Sequence, residues 1–351
     1  MPTKRKGMPI KNKRHSITSE YSLDGLFDEF YRVKVAEGRA DTTLEAYKEN
    51  YRFFTEFLDE RGIRRDVRLI TTDTIRDYIT YMLKEKVRFD GHRFKSEREQ
   101  TVGLSPVTIN TRLKALRVFF RYLCEEDGII AENPMDDVKN VEEPEEIIEI
   151  FTEDELRRIL AAPDKRLYGG FRDYTLMHVL LDTFLRTNEA LSLQEDDIDF
   201  EMRTITVRGK IAKGRRARIL PISSRTANLL RELIKENEDF DSQYVFLANY
   251  GERLTSNNFR HRLKYYARKA GIKRRVYPYL FRHTGATMFL EHGGDIRHLQ
   301  LLLGHTDMRM VKRYTHLSTE SLKLQHAKHT PLNRVVGKLN RPRKVKRTRT
   351  R

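Results

Sequence analysis

Apolar side chains at helical spacing place the strongest limit on what this 351-residue chain can fold into. Leu44, Tyr47, Tyr51, Phe54 and Leu58 follow one another at intervals of three and four residues, so they share one face of an α-helix. Similar stripes lie before and after this one between residues 22 and 128. Four amphipathic helices of this kind predict a small helical bundle.

The other helices of the predicted bundle have start signals of their own. Asp41 and Asp73 are predicted to cap the second and third helices, and Ser105 followed by Pro106 is predicted to start the fourth. Residues 86–103 are expected to form a long basic loop. The stripes of the first, third and fourth helices are Leu23, Leu26, Phe27 and Phe30; Ile75, Tyr78, Ile79 and Met82; and Ile109, Leu113, Leu116, Phe120 and Leu123.

The second half of the chain mixes helices with short strands. Thr152 and Glu155 have the spacing of a capping box. Residues 203–208 and 216–222 predict two strands, joined by a turn that contains Lys210. The predicted fold class is therefore mainly α with a small antiparallel β-sheet. Helices are predicted over 171–186, around 229–234 and 259–266, over 284–291, and in a segment that ends at Gly304.

Composition divides the chain into a nearly balanced body with two basic tails. Fourteen of the 17 net positive charges come from residues 1–14 and 338–351, which contain no acidic residue. Such tails are either solvated disorder or salt-sensitive contacts to phosphate backbones. The predicted ranges are a basic arm at 1–21, a helical domain at 22–128, an acidic linker at 129–151, a second domain with a C-terminal helix at 152–336, and a basic tail at 337–351.

Several protein classes are excluded by the sequence. No apolar run approaches the roughly 20 residues that cross a bilayer, so no membrane association is expected. The basic N-terminus is not followed by an apolar segment, which argues against a secretory signal. Cys124 is the one cysteine, so neither an internal disulfide nor a zinc finger is expected. A chain with 38% hydrophobic residues can bury a core, which excludes wholesale disorder.

Three segments of the second half carry the residues that suggest chemistry. They are Leu185-Arg186-Thr187-Asn188-Glu189, Tyr279-Leu280-Phe281-Arg282-His283, and Leu303-Gly304-His305 with Tyr314 nine residues later. In their order and spacing from about residue 152 to 325, they resemble the tyrosine recombinase (phage integrase) family. The preceding bundle also resembles that family's core-binding, SAM-like domain. No single piece is specific, but the ordered set is.

The resemblance implies a role for each residue. Tyr314 would be the nucleophile that keeps the phosphoryl group as an ester. Arg186 and Arg282 would hold the non-bridging oxygens, because guanidinium groups match a phosphate in bidentate geometry. His305 would donate a hydrogen bond to the phosphate and help to move protons. Lys213 would protonate the leaving 5′ oxygen, with Lys210 as the weaker candidate. No metal or other cofactor is implied.

Two positions depart from the family pattern. The family usually has histidine where this chain has Tyr279, which donates hydrogen bonds but is a poor base at neutral pH. Tyr279 is therefore a candidate site residue whose acid or base role differs. The family often has glycine where this chain has Phe184, and this is expected to alter the backbone that holds Arg186.

The expected function is site-specific DNA recombination, as the integrase or transposase of a mobile element. It would pass through a 3′-phosphotyrosyl intermediate and a Holliday junction. The alternatives are an enzyme that only relaxes DNA, like a type IB topoisomerase, and a non-catalytic DNA-binding protein of the same fold. The expected partners are double-stranded DNA, three further copies of the chain in a tetramer on two sites, and accessory DNA-bending or directionality proteins. The expected location is the cytoplasm, at the nucleoid of a prokaryote.

Overall fold

A computed structural model describes residues 21–89, 100–144, 149–212, 216–304, 326–328, 330 and 332. The chain divides into two compact units, Met1–Glu146 and Ile147–Arg351. Across the described ranges, no helix combines the length and the apolar character needed to span a membrane.

Four helices build the N-terminal unit around an aromatic core. Phe30, Phe54, Tyr78 and Phe120 are fully buried in it, so the predicted stripes face inward. A single π-helical turn, Tyr122–Glu126, extends the fourth helix. The helices are α1 (Leu23–Ala36), α2 (Asp41–Glu60), α3 (Thr72–Lys84) and α4 (Pro106–Arg121).

The start signals of these helices were only partly predictable. Ser105 caps α4 as predicted, and its hydroxyl accepts a hydrogen bond from the Thr108 N–H. The predicted caps at Asp41 and Asp73 are wrong. The α2 helix starts at Asp41 itself, after Ala40, which has no capping side chain, and α3 is capped by Thr71. An acidic residue inside the first turn also complements the helix dipole, so sequence alone does not separate the two positions.

The two ends of the predicted basic loop between α3 and α4 pair with each other. Val87 pairs with Val102 in an antiparallel bridge, and the Arg88 N–H donates to the Thr101 carbonyl at 2.8 Å. Residues 90–99 lie outside the described ranges.

The C-terminal unit packs helices around a three-stranded antiparallel sheet of order β1-β2-β3. Ile205 of β2 pairs with both Ile198 of β1 and Leu220 of β3. The predicted capping box of Thr152 and Glu155 is confirmed. The elements are α5 (Glu153–Ala161), α6 (Tyr168–Thr183), α7 (Thr187–Leu191), β1 (Ile198–Asp199), β2 (Thr204–Val207), β3 (Arg218–Pro221), α8 (Ser224–Glu236), α9 (Ser256–Lys269), α10 (Tyr279–Glu291) and α11 (Ile296–Leu303).

Two of these elements were not located correctly from the sequence. β1 is only two residues long, too short to leave an alternating pattern. The α10 helix begins at Tyr279 rather than near residue 284. Its first turns are buried on every side, including Leu280, Phe281 and Arg282, so no amphipathic stripe marks where it starts.

A buried ionic cluster ties α6 to α9 inside this unit. Asp173 is fully buried and accepts hydrogen bonds from Arg172, at 2.7 and 3.0 Å, and from Arg262 and the Tyr266 hydroxyl. Arg172 also donates to the Leu247 carbonyl at 2.7 Å. Burial and the neighbouring Asp173 raise the pKa of Tyr266, so its hydroxyl stays a donor.

Candidate active site

The first predicted site residue, Arg186, lies in the tight connection between α6 and α7. Phe184 ends α6 in the left-handed region at φ 55°, which turns the chain so that Arg186 precedes α7. The Arg186 side chain is 21% exposed, and its Nη1 donates to Glu189 Oε1 at 3.0 Å. Its backbone N–H donates to Glu189 Oε2, also at 3.0 Å.

Glu189 is a buried carboxylate that joins two arginines. It is 2% exposed and accepts from Arg186 and from Arg218, whose Nη2 lies 2.7 Å from Glu189 Oε2. Burial by itself raises the pKa of Glu189, but the hydrogen bonds and charges of Arg218 and Arg186 outweigh it, so this pKa lies below its usual value. Sequence reasoning did not assign Glu189 a role. Its position three residues after Arg186 was the available signal.

Arg218 extends this network from β3 to the end of α11. Its Nε donates to the Leu302 carbonyl at 3.2 Å. Gly304 ends α11 at φ 64°, and a Cβ on it would lie 3.1 Å from Arg218 Cδ and Nε. Glycine therefore suits this position for two reasons, because of the left-handed backbone and because of the close approach of Arg218.

Arg282, the second predicted arginine, is fully buried on α10. Its Nη1 donates to the Phe184 carbonyl at 2.5 Å, and its Nη2 donates to the Leu303 carbonyl at 2.9 Å. The first carbonyl lies two residues before Arg186, and the second lies directly before Gly304. Arg282 therefore links the loop of the first arginine to the end of α11, and its proposed contact with phosphate stays a prediction.

The residues around Phe184 leave room for its large side chain. The ring packs in a small apolar cluster with Ala286, Leu290 and Leu299. A Cβ on Gly285 would lie 2.7 Å from the Phe184 ring and from the Leu181 carbonyl, so only glycine fits beneath the ring. A bulky residue at positive φ is strained, and this packing offsets the strain.

Tyr279, the third described site residue, starts α10 one turn before Arg282 and is half-buried. Its ring lies edge-on to His283, with centroids 4.5 Å apart. The Arg282 guanidinium carbon lies 5.8 Å from the centre of the Tyr279 ring. The structure therefore brings Tyr279 and Arg282 together on one helix.

Three predicted residues, Lys213, His305 and Tyr314, lie outside the described ranges. Residues adjacent in sequence to two of them are described. Ala212 is held in a turn by the Arg208 carbonyl, and Gly304 follows directly on the carbonyls that bind Arg218 and Arg282. Lys210, the weaker candidate, is exposed in the connection between β2 and β3.

The site contains three guanidinium groups, which are held in place by one carboxylate and three backbone carbonyls. Arg186 is the most exposed of the three arginines, at 21% against 11% for Arg218 and 0% for Arg282. Arg186 is therefore the one best able to meet an anion from solvent. Across the described ranges, no group of three or more potential metal ligands is found.

Comparison with known proteins identifies relatives of both halves of the chain. Residues 149–321 match the model of the phage integrase family, and residues 26–129 match the model of the phage integrase N-terminal SAM-like domain. The tyrosine recombinase XerD of Pseudomonas aeruginosa is 31% identical over 314 residues, which cover 88% of this chain and 97% of that protein. The tyrosine recombinase XerC of Chlamydia caviae is 31% identical over 267 residues, which cover 75% and 79%.

Solved structures with the same fold include complexes with DNA. The Tn1549 transposon integrase with a circular intermediate DNA has a TM-score of 0.67 and 19% identity, over 88% of this chain and 99% of that one. The XerH site-specific recombinase bound to palindromic difH substrate has a TM-score of 0.64 and 20% identity, over 87% and 84%. At these identities the likeness establishes the fold: mainly helical, with a SAM-like N-terminal domain and an integrase domain.

Proposed function

The chain belongs to the phage integrase family of tyrosine recombinases, and on this basis we propose that it cuts and rejoins duplex DNA at specific sites. The observation that supports this most is that Arg186 and Arg218 meet on Glu189, while Arg282 binds the carbonyls of the neighbouring residues Phe184 and Leu303. These three arginines come from separate parts of the sequence. Arg186 and Arg218 are fixed by Glu189 before a substrate arrives, and cations fixed in this way favour stabilisation of a phosphoryl transition state.

The proposed reaction is a pair of transesterifications. The Tyr314 hydroxyl attacks phosphorus, the bond from phosphorus to the 5′ oxygen breaks, and the DNA 3′ end becomes esterified to the phenol. Lys213 gives a proton to the departing 5′ oxygen, while the tyrosyl proton passes to a neighbouring base such as His305. The reverse reaction with another strand's 5′ hydroxyl restores the phosphodiester and frees Tyr314.

The arginines have different proposed tasks in this reaction. Arg186, which reaches solvent, binds the non-bridging oxygens directly. Arg282 acts on the phosphate after a rearrangement of its carbonyl contacts, or else positions Arg186 through the Phe184 carbonyl. Glu189 is a positioning residue, because its carboxylate fixes Arg186 and Arg218 at once.

A nicked duplex that traps the covalent intermediate tests the reaction. DNA flanking the coding region, searched for inverted repeats, supplies candidate sites. On a denaturing gel we expect a protein–DNA adduct that protease digests and that Tyr314→Phe abolishes. Tyr277→Phe, a tyrosine change in the segment before α10, is the matched control and should leave the adduct. An adduct that persists in Tyr314→Phe would refute the assignment of the nucleophile.

Paired sites separate recombination from relaxation. With two sites on one supercoiled plasmid, we expect recombinant product and a Holliday junction that accumulates when strand exchange stalls. Loss of supercoils without recombinant product would instead indicate a topoisomerase. The same DNA, resolved by mass photometry, tests the proposed tetramer on two sites and any need for accessory proteins.

The role in a mobile element and the location in the cell remain predictions. Relatives named Xer recombinases and a transposon integrase both match this chain. We propose a role in a mobile element, and a cytoplasmic location at the nucleoid, because duplex DNA is the proposed substrate. Inverted binding sites at the ends of a mobile segment that contains the coding region would support this role.

A further inference from the structure

A basic cavity lies at the C-terminal end of α9, and none of its lining residues belongs to the network around Glu189. It has a volume of about 430 Å³. One wall is a single face of α9, with His261, Lys264 and Arg268 spaced three and four residues apart. The other wall is the segment that leads towards α10, with Lys273 and Arg275.

Except for Arg274, the positively charged residues that line this cavity have no acidic partner among the described residues. Arg274, which also lines it, is neutralised by Glu155 at 2.7 Å and by Glu149 at 3.6 Å. Within the described ranges, no carboxylate lies within 4.0 Å of the side-chain nitrogens of the remaining lining cations, and no acidic residue lines the cavity. The remaining lining cations are Lys264, Arg268, Lys273 and Arg275, and His261 also lines the cavity.

The helix dipole does not account for this set. Cations are favoured in the last turn of a helix, which explains Arg268 and its neighbour Lys269. Lys264 lies more than a turn before that end, whereas Lys273 and Arg275 lie beyond it in the following segment. Like charges brought together around one concavity repel one another, and an anion in the cavity relieves that repulsion.

The walls of the cavity are fixed in place. Ala267, Ile272 and Val276 are buried beneath it, and the Ile272 N–H donates to the Ala267 carbonyl at 2.9 Å. Arg274 donates to the Ile150 carbonyl at 2.7 Å, which anchors the second wall. Val276 lies three residues before Tyr279, where α10 begins. A ligand bound in this cavity would therefore lie in a fixed position relative to α10, the helix that carries Arg282.

We propose that this cavity seats a backbone phosphate of the DNA duplex, distinct from the phosphate that is cleaved. The proposal rests on the proposed function for its substrate. The cavity contributes affinity and register rather than sequence reading, because phosphates carry no base information. The two arginines and two lysines that have no carboxylate partner match the preference of a phosphodiester for charge-assisted hydrogen bonds.

The salt dependence of duplex binding tests this proposal without knowledge of the target site. Each lost phosphate contact reduces the slope of log affinity against log salt by about 0.9. We expect Arg268→Gln and Arg275→Gln each to reduce the slope by about that amount. When salt is raised from 50 to 200 mM, the fold-loss in affinity should therefore be about three times smaller for each variant than for its parent. Lys235→Gln, an exposed residue in the last turn of α8, is the charge-matched control and should leave the slope unchanged.

A second measurement separates a DNA phosphate from a free one. Inorganic pyrophosphate is added to the full chain, and the melting temperature of wild type and of each variant is compared. A rise that Arg268→Gln abolishes, with an unchanged DNA slope, would make the cavity a seat for small phosphates and refute the DNA proposal. Unchanged slopes without a pyrophosphate effect would also refute it, as would an equal slope change in Lys235→Gln.

All slopes are measured in a Tyr314→Phe background, so the outcome does not depend on cleavage. Failure of the phosphate seat and failure of the recombinase proposal therefore give different results. If the phosphate seat fails, Arg268→Gln and Arg275→Gln keep the salt slope of their parent while the otherwise wild-type chain still forms the covalent adduct. If the recombinase proposal fails, the otherwise wild-type chain forms no adduct, whatever the salt slopes are. Equal melting temperatures of Arg268→Gln and its parent, without added ions, exclude misfolding as the cause of a changed slope.

Discussion

The two units of the chain bury very different side chains. In the N-terminal unit, rings pack on rings: Phe27 stacks on Tyr51 at 3.8 Å between centroids, and Phe30 meets Phe119 edge-on at 5.3 Å. In the C-terminal unit, Asp173 and Glu189 are buried with arginines around them. Apolar burial is non-directional, whereas a buried charge requires partners in defined places. The first unit is therefore stabilised mainly by its packed rings, with Lys34 as a buried charge that pairs with Glu37, whereas the second unit also depends on the buried carboxylates that fix the site.

The largest effect is expected from removal of a ring in the first unit. Phe54 is fully buried among Phe57, Tyr78 and Phe120. Phe54→Ala should cost about 3–5 kcal/mol of unfolding free energy, since it removes apolar contacts and leaves a cavity. Hydrogen exchange should quicken in α2 and α4 and stay unchanged in α6 and α10. Faster exchange in both units would show that they unfold together and would contradict the view that each unit is stabilised by its own core.

A buried charge in the second unit should give the next largest effect. Asp173→Asn removes the negative charge that Arg172 and Arg262 share, and leaves a guanidinium buried without its carboxylate. We expect a loss of about 3 kcal/mol, measured by urea unfolding. Asp154→Asn, which breaks the exposed pair with Arg158, is the control and should cost less than about 0.5 kcal/mol. Equal costs would mean that burial does not matter for these pairs.

A smaller effect on stability, with a larger effect on activity, is expected at Glu189. Glu189→Gln keeps the shape but loses the charged acceptor of Arg186 and Arg218, which should cost about 2 kcal/mol near neutral pH. Adduct formation should fall about tenfold or more, because Arg186 is no longer fixed. An adduct rate equal to wild type would remove the positioning role.

The pH dependence of that variant gives an independent check. Because the pKa of Glu189 is lowered in the folded chain, its contribution to stability is complete above the unfolded value of about 4.3 and is lost as the pH falls through the folded value. The difference in unfolding free energy between wild type and Glu189→Gln should therefore narrow as the pH falls below about 4. A constant difference across that range would contradict the lowered pKa.

The smallest expected effect tests helix capping in the first unit. Ala40 occupies the N-cap position of α2 without a capping hydrogen bond. Ala40→Asp should stabilise the chain by about 0.5–1 kcal/mol, because a carboxylate there complements the helix dipole and can accept a hydrogen bond from an N–H group of the first turn. Ser105→Ala, which removes an existing cap from α4, should shift the melting temperature in the opposite direction. A decrease in melting temperature for Ala40→Asp would show that the site cannot accommodate the side chain.

Much of the fold was predictable from local patterns. The stripe of Leu44, Phe54 and Leu58 is buried, the cap at Ser105 is present, and Gly304 ends α11. These features depend on side-chain periodicity and on a few backbone rules, which act within about four residues. The β2–β3 hairpin was predictable for the same reason.

The candidate site was predictable as a set of residues but not as an arrangement. Arg186 and Arg282 could be singled out by motif, yet the motif does not show that Arg282 is fully buried and bonded to the Phe184 and Leu303 carbonyls. Glu189 escaped notice because its importance comes from Arg218, which is 29 residues away along the chain.

The sequence by itself determined the helical class, the small sheet and the family, because periodicity and ordered motifs are local or linear properties. Only the tertiary structure decided which charges meet. A buried carboxylate or guanidinium is tolerated where a partner from a distant segment satisfies it, and that partner is a consequence of packing. Glu189 with Arg218, and the uncompensated cations beside α9, became visible only once the chain was folded.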